Sequence, residues 1–168
     1  MIDQIKYVAG DATEPIQKNE GQAYNYLLHI CNNVGAWGAG FVIPLAKKWP
    51  EVKKAYHEVI RELSLGENQI VPVEENLAVV NMIAQLDVVP IVHNSKKLPN
   101  VQYDALFHCL NEIGNQAYPE SRFHFPMFGA GLGGGDWQVI ASLVNQTLTY
   151  RHETYCYIVD QKWMGLIK

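Results

Sequence analysis

The chain is poor in cysteine, has no long apolar run and carries no basic excess. Its three cysteines, Cys31, Cys109 and Cys156, are far apart, odd in number and show no C-x-x-C spacing. A disulfide framework is therefore excluded. No histidine or cysteine spacing resembles a zinc site, so no metal is expected. Buried thiols in a reducing compartment, the cytoplasm, are the simple expectation. The apolar runs fall far short of the ~20 residues a membrane span needs. The start, Met1-Ile2-Asp3-Gln4-Ile5-Lys6, is too polar for a secretory signal. A formal net charge of −4 argues against nucleic acid or an anionic membrane as partner, since both call for a basic surface. No G-x-x-x-x-G-K-[ST] occurs, which excludes a P-loop. No internal repeat, low-complexity stretch or linker divides the chain, so residues 1–168 are read as one domain.

What is present is the composition of a globular protein, 48% apolar and 18% charged. Ile5-Lys6-Tyr7-Val8 alternates and stops at Gly10-Asp11-Ala12-Thr13, a short strand and a turn. Residues 14–22 are polar with a proline and read as a loop or a poor helix. Tyr26 to Cys31 is a buried strand. A helix begins at Phe41 and is interrupted by Pro50. Glu51 to Leu63 forms a second helix, with Val52, Tyr56, Val59 and Leu63 on its apolar face. Gln69 to Val73 and Leu77 to Met82 form a hairpin around Glu74-Glu75-Asn76. Ala84 to Gln102 has prolines and no period, a long loop of the kind that is often functional. Tyr103 to Tyr118 and Trp137 to Leu148 are amphipathic helices. Arg122 to Pro126 and Thr154 to Asp160 are strands, and Gln161 to Lys168 is a tail. This alternation predicts an α/β protein, a three-layer α/β/α sandwich with a central mixed β-sheet.

Two glycine loops stand out, each after a strand and before a helix. The first lies in His29-Ile30-Cys31-Asn32-Asn33-Val34-Gly35-Ala36-Trp37-Gly38-Ala39-Gly40-Phe41. The second is Gly129-Ala130-Gly131-Leu132-Gly133-Gly134-Gly135, more glycines than a plain turn needs. Such loops let backbone N–H groups approach an anion. In open α/β sheets the crevice lies off the carboxyl ends of the strands, so one ligand is expected between the two loops. Trp37 is either a core plug or the wall of a ring-binding site. Asp11 either accepts a hydrogen bond from a ligand amino group or closes its own turn. Asn32 and Asn33 suit sugar hydroxyls or turn chemistry. Asp136 reads as the N-cap of the following helix, or as an acid. His29 and Cys31 share a strand face but lack a third group to orient them, and a hydrogen-bonded core histidine is the plain alternative. His93, Lys96 and Lys97 are either solvated loop charge or a lid.

Taken in order, these stretches resemble a macrodomain, the ADP-ribose-binding α/β/α module. The resemblance rests on Tyr7 to Thr13, His29-Ile30-Cys31-Asn32, the loop from Gly35 to Phe41, Asn81-Met82-Ile83-Ala84-Gln85, and Gly129 through Trp137. It covers nearly the whole chain and is similar to bacterial stand-alone macrodomains and to the yeast-type ADP-ribose-1″-phosphate phosphatase branch. It implies that Asp11 binds the adenine amino group, with Gly10 and Ala12 beside it. Asn32 contacts the distal ribose. Gly35, Ala36, Trp37, Gly38, Ala39, Gly40 and Phe41 form a phosphate and ribose loop. Gly129, Ala130, Gly131, Leu132, Gly133 and Gly134 wrap the pyrophosphate, and Val159 and Asp160 flank the adenine.

The departures bear on chemistry. Where some ADP-ribosyl hydrolases carry an acid after the first loop, this chain has Val42. Where others carry an aspartate after G-x-G-L, it has Gly133. It keeps a histidine, His29, where the phosphatase branch has one. The resemblance therefore implies a cofactor-independent enzyme that removes the 1″-phosphate or hydrolyses ADP-ribosyl groups. His29 and Asn32, with Asp136 as an alternative acid, are its catalytic candidates. A non-catalytic module that reads ADP-ribose or ADP-ribosylated protein is the other expectation.

Overall fold

The computed structural model describes residues 4–15 and 23–168. The expected loop or poor helix over 14–22 thus falls largely outside the described residues. Within these residues lie eight strands and four α-helices. They are β1 (Lys6–Ala9), β2 (Asn25–Asn32), α1 (Val42–Lys48), α2 (Pro50–Val59), β3 (Asn68–Glu74), β4 (Leu77–Gln85), β5 (Ile91–His93), β6 (Lys96–Leu98), α3 (Tyr103–Gln116), β7 (Arg122–Pro126), α4 (Trp137–Thr147) and β8 (Glu153–Ile158). Six strands form a mixed sheet in the order β1-β8-β7-β2-β4-β3. All neighbours are parallel except β3 and β4, the expected hairpin.

The central strands are apolar on both faces because both faces are covered. On one side Leu28, Val80, Phe123, Phe125 and Cys156 pack with Leu106, Leu110, Ile140 and Val144 of α3 and α4. On the other, Leu27, Val79, Ile83 and Tyr157 pack with Leu45 of α1 and with Val52 and Tyr56 of α2. The two helix layers and the sheet between them form the predicted α/β/α sandwich. No helix among the described residues is long and apolar enough to cross a membrane.

Three boundaries differ from the sequence reading. The second helix stops at Val59 and tightens into a 3₁₀ turn, Ile60–Glu62. Pro50 opens this helix at its first turn, where no intrahelical N–H is missed. The stretch expected as one long loop belongs partly to β4, and its tip is a hairpin, β5 with β6. Asn94 and Ser95 turn that hairpin with φ of 49° and 64°, the backbone of a tight two-residue turn. The strands are too short to show a period, which is why the pattern stayed hidden. β8 ends at Ile158, and Asp160 caps a 3₁₀ helix, Gln161–Leu166, where a plain tail was expected.

Candidate ligand-binding groove

Because β1, β8, β7, β2 and β4 run parallel, their carboxyl ends share one edge. The loops leaving them enclose an elongated groove in three sections. The first, about 460 Å³, lies between the turn after β1 and the turn after β8, with Asp11, Tyr157, Val159, Asp160 and Trp163 in its walls. The middle section, about 270 Å³, lies between the two glycine loops. The third, about 400 Å³, is bounded by Asn32, Ala36, Trp37, Gln85, Asn100 and Leu132. Gly40, Phe41 and Gly131 are shared by the first two sections, and Ala39, Val42 and Leu132 by the last two.

Local chemistry shapes each wall. The Asp11 carboxylate accepts from the amide and hydroxyl of Thr13, both at 2.8 Å, so it closes its own turn while lining the first section. Gly10 and Ala12 line the same section. The second glycine loop is held from behind: the Gly133 carbonyl accepts from the amides of Asn100 (2.9 Å) and Val101 (3.1 Å), and Gly135 N–H donates to Gly129 O at 2.7 Å. Gly129 has φ of 76°, and a Cβ there would sit 3.0 Å from Ile140 Cδ1 and 3.2 Å from Ile30 Cδ1. Both the backbone and the core beneath it require glycine.

In front, amides are left over. Among the described residues, no carbonyl or side chain accepts from the N–H groups of Ala39, Gly40, Phe41, Ala130, Gly131, Leu132 or Gly133. Most of these residues line the middle section. Among the described residues, no Lys, Arg, Asp or Glu lines the middle or third section. An anion there would meet backbone dipoles rather than charged side chains.

Asn32 is more committed than its sequence position suggested. Its Oδ1 accepts from the amides of Val34 (3.1 Å) and Ala36 (3.0 Å), and its Nδ2 donates to Ala36 O at 2.8 Å. One amide hydrogen is left for a ligand. Asn33 accepts from Asp87 N at 2.8 Å and so ties β2 to the segment after β4. Trp37 is a buried plug that also lines the third section; its indole donates to Val42 O at 3.0 Å and its ring packs on Tyr56. Gly38 lines that section too, and neither its φ nor its surroundings require glycine. Gly35 and Gly134 line none of the three sections. They brace the loops: Gly35 N–H donates to the Tyr56 hydroxyl at 3.1 Å, and Gly134 N–H to Gly131 O at 3.0 Å.

The catalytic candidates do not converge as one acid–base site. Asp136 lines none of the sections; its Oδ1 accepts from Gln138 N at 2.9 Å, the N-cap role. His29 contributes to the middle wall but is only 1% exposed. Burial lowers its pKa to about 4 despite an opposing hydrogen bond with Asn81, so the ring is neutral at pH 7. Cys31 Sγ lies 3.8 Å from His29 Nε2, but burial pushes that thiol well above its ordinary value, which removes the nucleophilic thiolate. Lys96 and Lys97 are exposed on the β5–β6 hairpin and line no section. Sequence reasoning missed Asn100, Gln85, Trp163 and Tyr56 as parts of the site. Gln85 lay in a quoted stretch and Trp163 was a lone tail aromatic, but nothing local marked Asn100 or the Tyr56 hydroxyl.

This is the architecture of an α/β/α module with an elongated, amide-lined groove along the carboxyl edge of its sheet. No family model matches the chain. Among solved structures, a macrodomain protein from Streptomyces coelicolor is 30% identical with a TM-score of 0.74, over 93% of this chain and 99% of that one. A protein of unknown function from Bacteroides thetaiotaomicron is 36% identical with a TM-score of 0.82, over 92% and 98%. An ADP-ribose 1″-phosphate phosphatase from Saccharomyces cerevisiae is 33% identical over 79 residues, 45% of this chain and 41% of that protein. The chain belongs to the macrodomain family.

Proposed function

We propose that the chain binds ADP-ribose or a derivative of it along this groove. Adenine occupies the first section, the pyrophosphate the middle, and the distal ribose the third. The observation that carries this reading is the pair of amide rows, from Ala39 to Phe41 and from Ala130 to Gly133, that find no acceptor among the described residues and border one cavity that no charged side chain of those residues lines. Asp11 receives the exocyclic amine of adenine beside Gly10 and Ala12, while Val159, Asp160 and Trp163 flank the ring. Asn32, Gln85 and Asn100 address the distal ribose with carboxamides. The compartment in this reading is the reducing cytoplasm, supported by three free and buried cysteines.

Two classes of action differ at the distal end. Binding without turnover, to ADP-ribose or to an ADP-ribosylated protein, is favoured by the third section's lining, which among the described residues includes no ionisable acid or base other than the buried Cys31. Removal of a 1″-phosphate is favoured by the sequence identity with the yeast phosphatase and by His29 in the middle wall. In that reading His29 is an acceptor or orienting group, not an acid. Calorimetric titration with ADP-ribose tests binding; no heat with ADP-ribose, ADP or AMP would sink the reading. A phosphate-release assay with ADP-ribose-1″-phosphate then separates the two classes.

A further inference from the structure

His29 sits in a row of polar side chains that crosses three strands. Register pairs His29 of β2 with Asn81 of β4, and Asn81 with Gln69 of β3. His29 Nε2 meets Asn81 Oδ1. Asn81 Nδ2 donates to Gln69 Oε1 at 3.0 Å, and Gln69 Nε2 donates to Ala55 O at 2.8 Å. The direction of this row does not depend on how either amide is drawn. Ala55 O is a backbone carbonyl of α2 and can only accept. Gln69 must therefore turn its NH₂ to Ala55 and its oxygen to Asn81. Asn81 must then turn its NH₂ to Gln69 and its oxygen to His29. Facing an oxygen, His29 Nε2 must carry the proton. Nδ1 is left as a bare acceptor, buried and without a partner among the described residues. It belongs to a side chain in the wall of the middle section.

A buried acceptor without a partner is costly, and a ligand or water that supplies a donor relieves that cost. The pyrophosphate oxygens of ADP-ribose, esterified at both ends, carry no proton at neutral pH and cannot supply one, since lone pair would face lone pair. An O–H group can.

We infer that Gln69 and Asn81 form a relay, anchored on Ala55, that locks His29 as its Nε2–H tautomer, and that Nδ1 receives an O–H when the groove is filled. The donor is either a hydroxyl of the ligand's distal ribose or a water held against its phosphates. Gln69 and Asn81 touch no ligand in this scheme and are positioning residues. The ligand half of the inference rests on the groove being an ADP-ribose site; the tautomer half does not.

The test is NMR of the full chain labelled with ¹⁵N at histidine, with the His29 ring signals identified by their loss in His29→Gln. In the free protein, Nε2 should be protonated and Nδ1 bare; a protonated Nδ1 overturns the relay. Adding ADP-ribose should shift Nδ1 towards the hydrogen-bonded range while Nε2 stays protonated. Adding ADP, which lacks the distal ribose, at about pH 8, where its terminal phosphate is ionised, distinguishes the donors. A shift with ADP-ribose alone identifies the sugar hydroxyl, and a shift with both identifies water. If calorimetry shows ADP-ribose bound and Nδ1 does not move, the inference is wrong and the groove reading survives. If nothing binds, the groove reading fails and takes the ligand half with it. Gln69→Leu removes the anchor and should populate both tautomers; an unchanged Nε2–H form overturns the relay. The wild-type tautomer decides that point should the variant not fold.

Discussion

Replacing Tyr56 by phenylalanine tests how the first glycine loop is held. The ring is fully buried and remains in place, so only the hydroxyl is lost. That hydroxyl donates to Asn32 O at 2.6 Å and accepts from Gly35 N at 3.1 Å, joining α2, the end of β2 and the loop. His57, next on the same helix, meets Gly35 O with Nε2 at 2.9 Å, so α2 holds Gly35 at both its N–H and its C=O. Removing the hydroxyl strands a carbonyl and an amide in a half-buried setting, at a cost of about 1–3 kcal/mol. In a domain of this length that lowers Tm by about 2–12 °C. The loop also loses its preorganisation. If restoring order costs about 1–2 kcal/mol at binding, ADP-ribose affinity falls roughly 5–30-fold. Tyr56 holds the loop at Gly35, on the side of the third section that ADP does not fill, so ADP affinity should fall less than ADP-ribose affinity. Thermal unfolding by circular dichroism and paired titrations with ADP-ribose and ADP provide the readout. An unchanged affinity ratio would refute the assignment of the third section to the distal ribose. An unchanged Tm would refute the bracing argument itself.

Gly129→Ala should cost about 2–5 kcal/mol, combining left-handed strain with overpacking against Ile140 and Ile30, as measured by urea unfolding. Asp11→Ala removes both the turn acceptor and the proposed adenine contact; ADP-ribose binding should weaken about tenfold or more, against a stability loss of about 1 kcal/mol. His29 and His124 are buried with pKa values lowered to about 4 and about 3, each chiefly by burial. Both stay neutral in the folded state while the unfolded chain gains protons near pH 6.5. Stability should therefore fall as pH drops below about 6.5, by roughly 1.4 kcal/mol per unit for each histidine, and level off below their folded values. Denaturant titrations between pH 4 and 8 measure the slope; a flat profile contradicts the burial of the two rings. If phosphate is released from ADP-ribose-1″-phosphate, His29 should impose no pH dependence on the rate between about pH 6 and 8, because its titration lies below that range; a single inflection near pH 6 would belong to the substrate's own phosphate. A bell-shaped profile centred near neutrality would require another acid or base.

The order of elements was legible because each helix and central strand carries its own burial period. Val52, Tyr56 and Val59 mark a helix face whatever lies opposite, and Leu77 to Met82 is apolar enough to read as a covered strand. The glycine loops were legible for a related reason: repeated glycine next to a buried strand signals close backbone approach. What stayed hidden depended on partners remote in the chain. The β5–β6 hairpin has strands of three residues, too short for a period. Asn100 reaches back to Leu86 O at 3.0 Å and Val89 O at 2.9 Å, which no spacing rule anticipates. Asn32 looked like a sugar ligand because an amide at a strand end suits one; its actual neighbours, Val34 and Ala36, take up most of its hydrogen-bonding capacity first.

From the sequence alone came the α/β alternation, the two loops, the acidic balance and the motifs that resemble a macrodomain, since periodicity, charge and glycine content are properties of neighbouring residues. The tertiary structure alone decided which candidates meet. Parallel pairing brings the ends of β1, β8, β7, β2 and β4 to one edge and so joins residues 10–12, 39–41, 130–133 and 159–163 into one groove. It leaves Asp136, the cap of α4, outside the groove and buries His29 behind the loop. It also aligns Gln69, Asn81 and His29 across three strands. Strand register, which local sequence does not encode, determines the direction in which that row of hydrogen bonds runs.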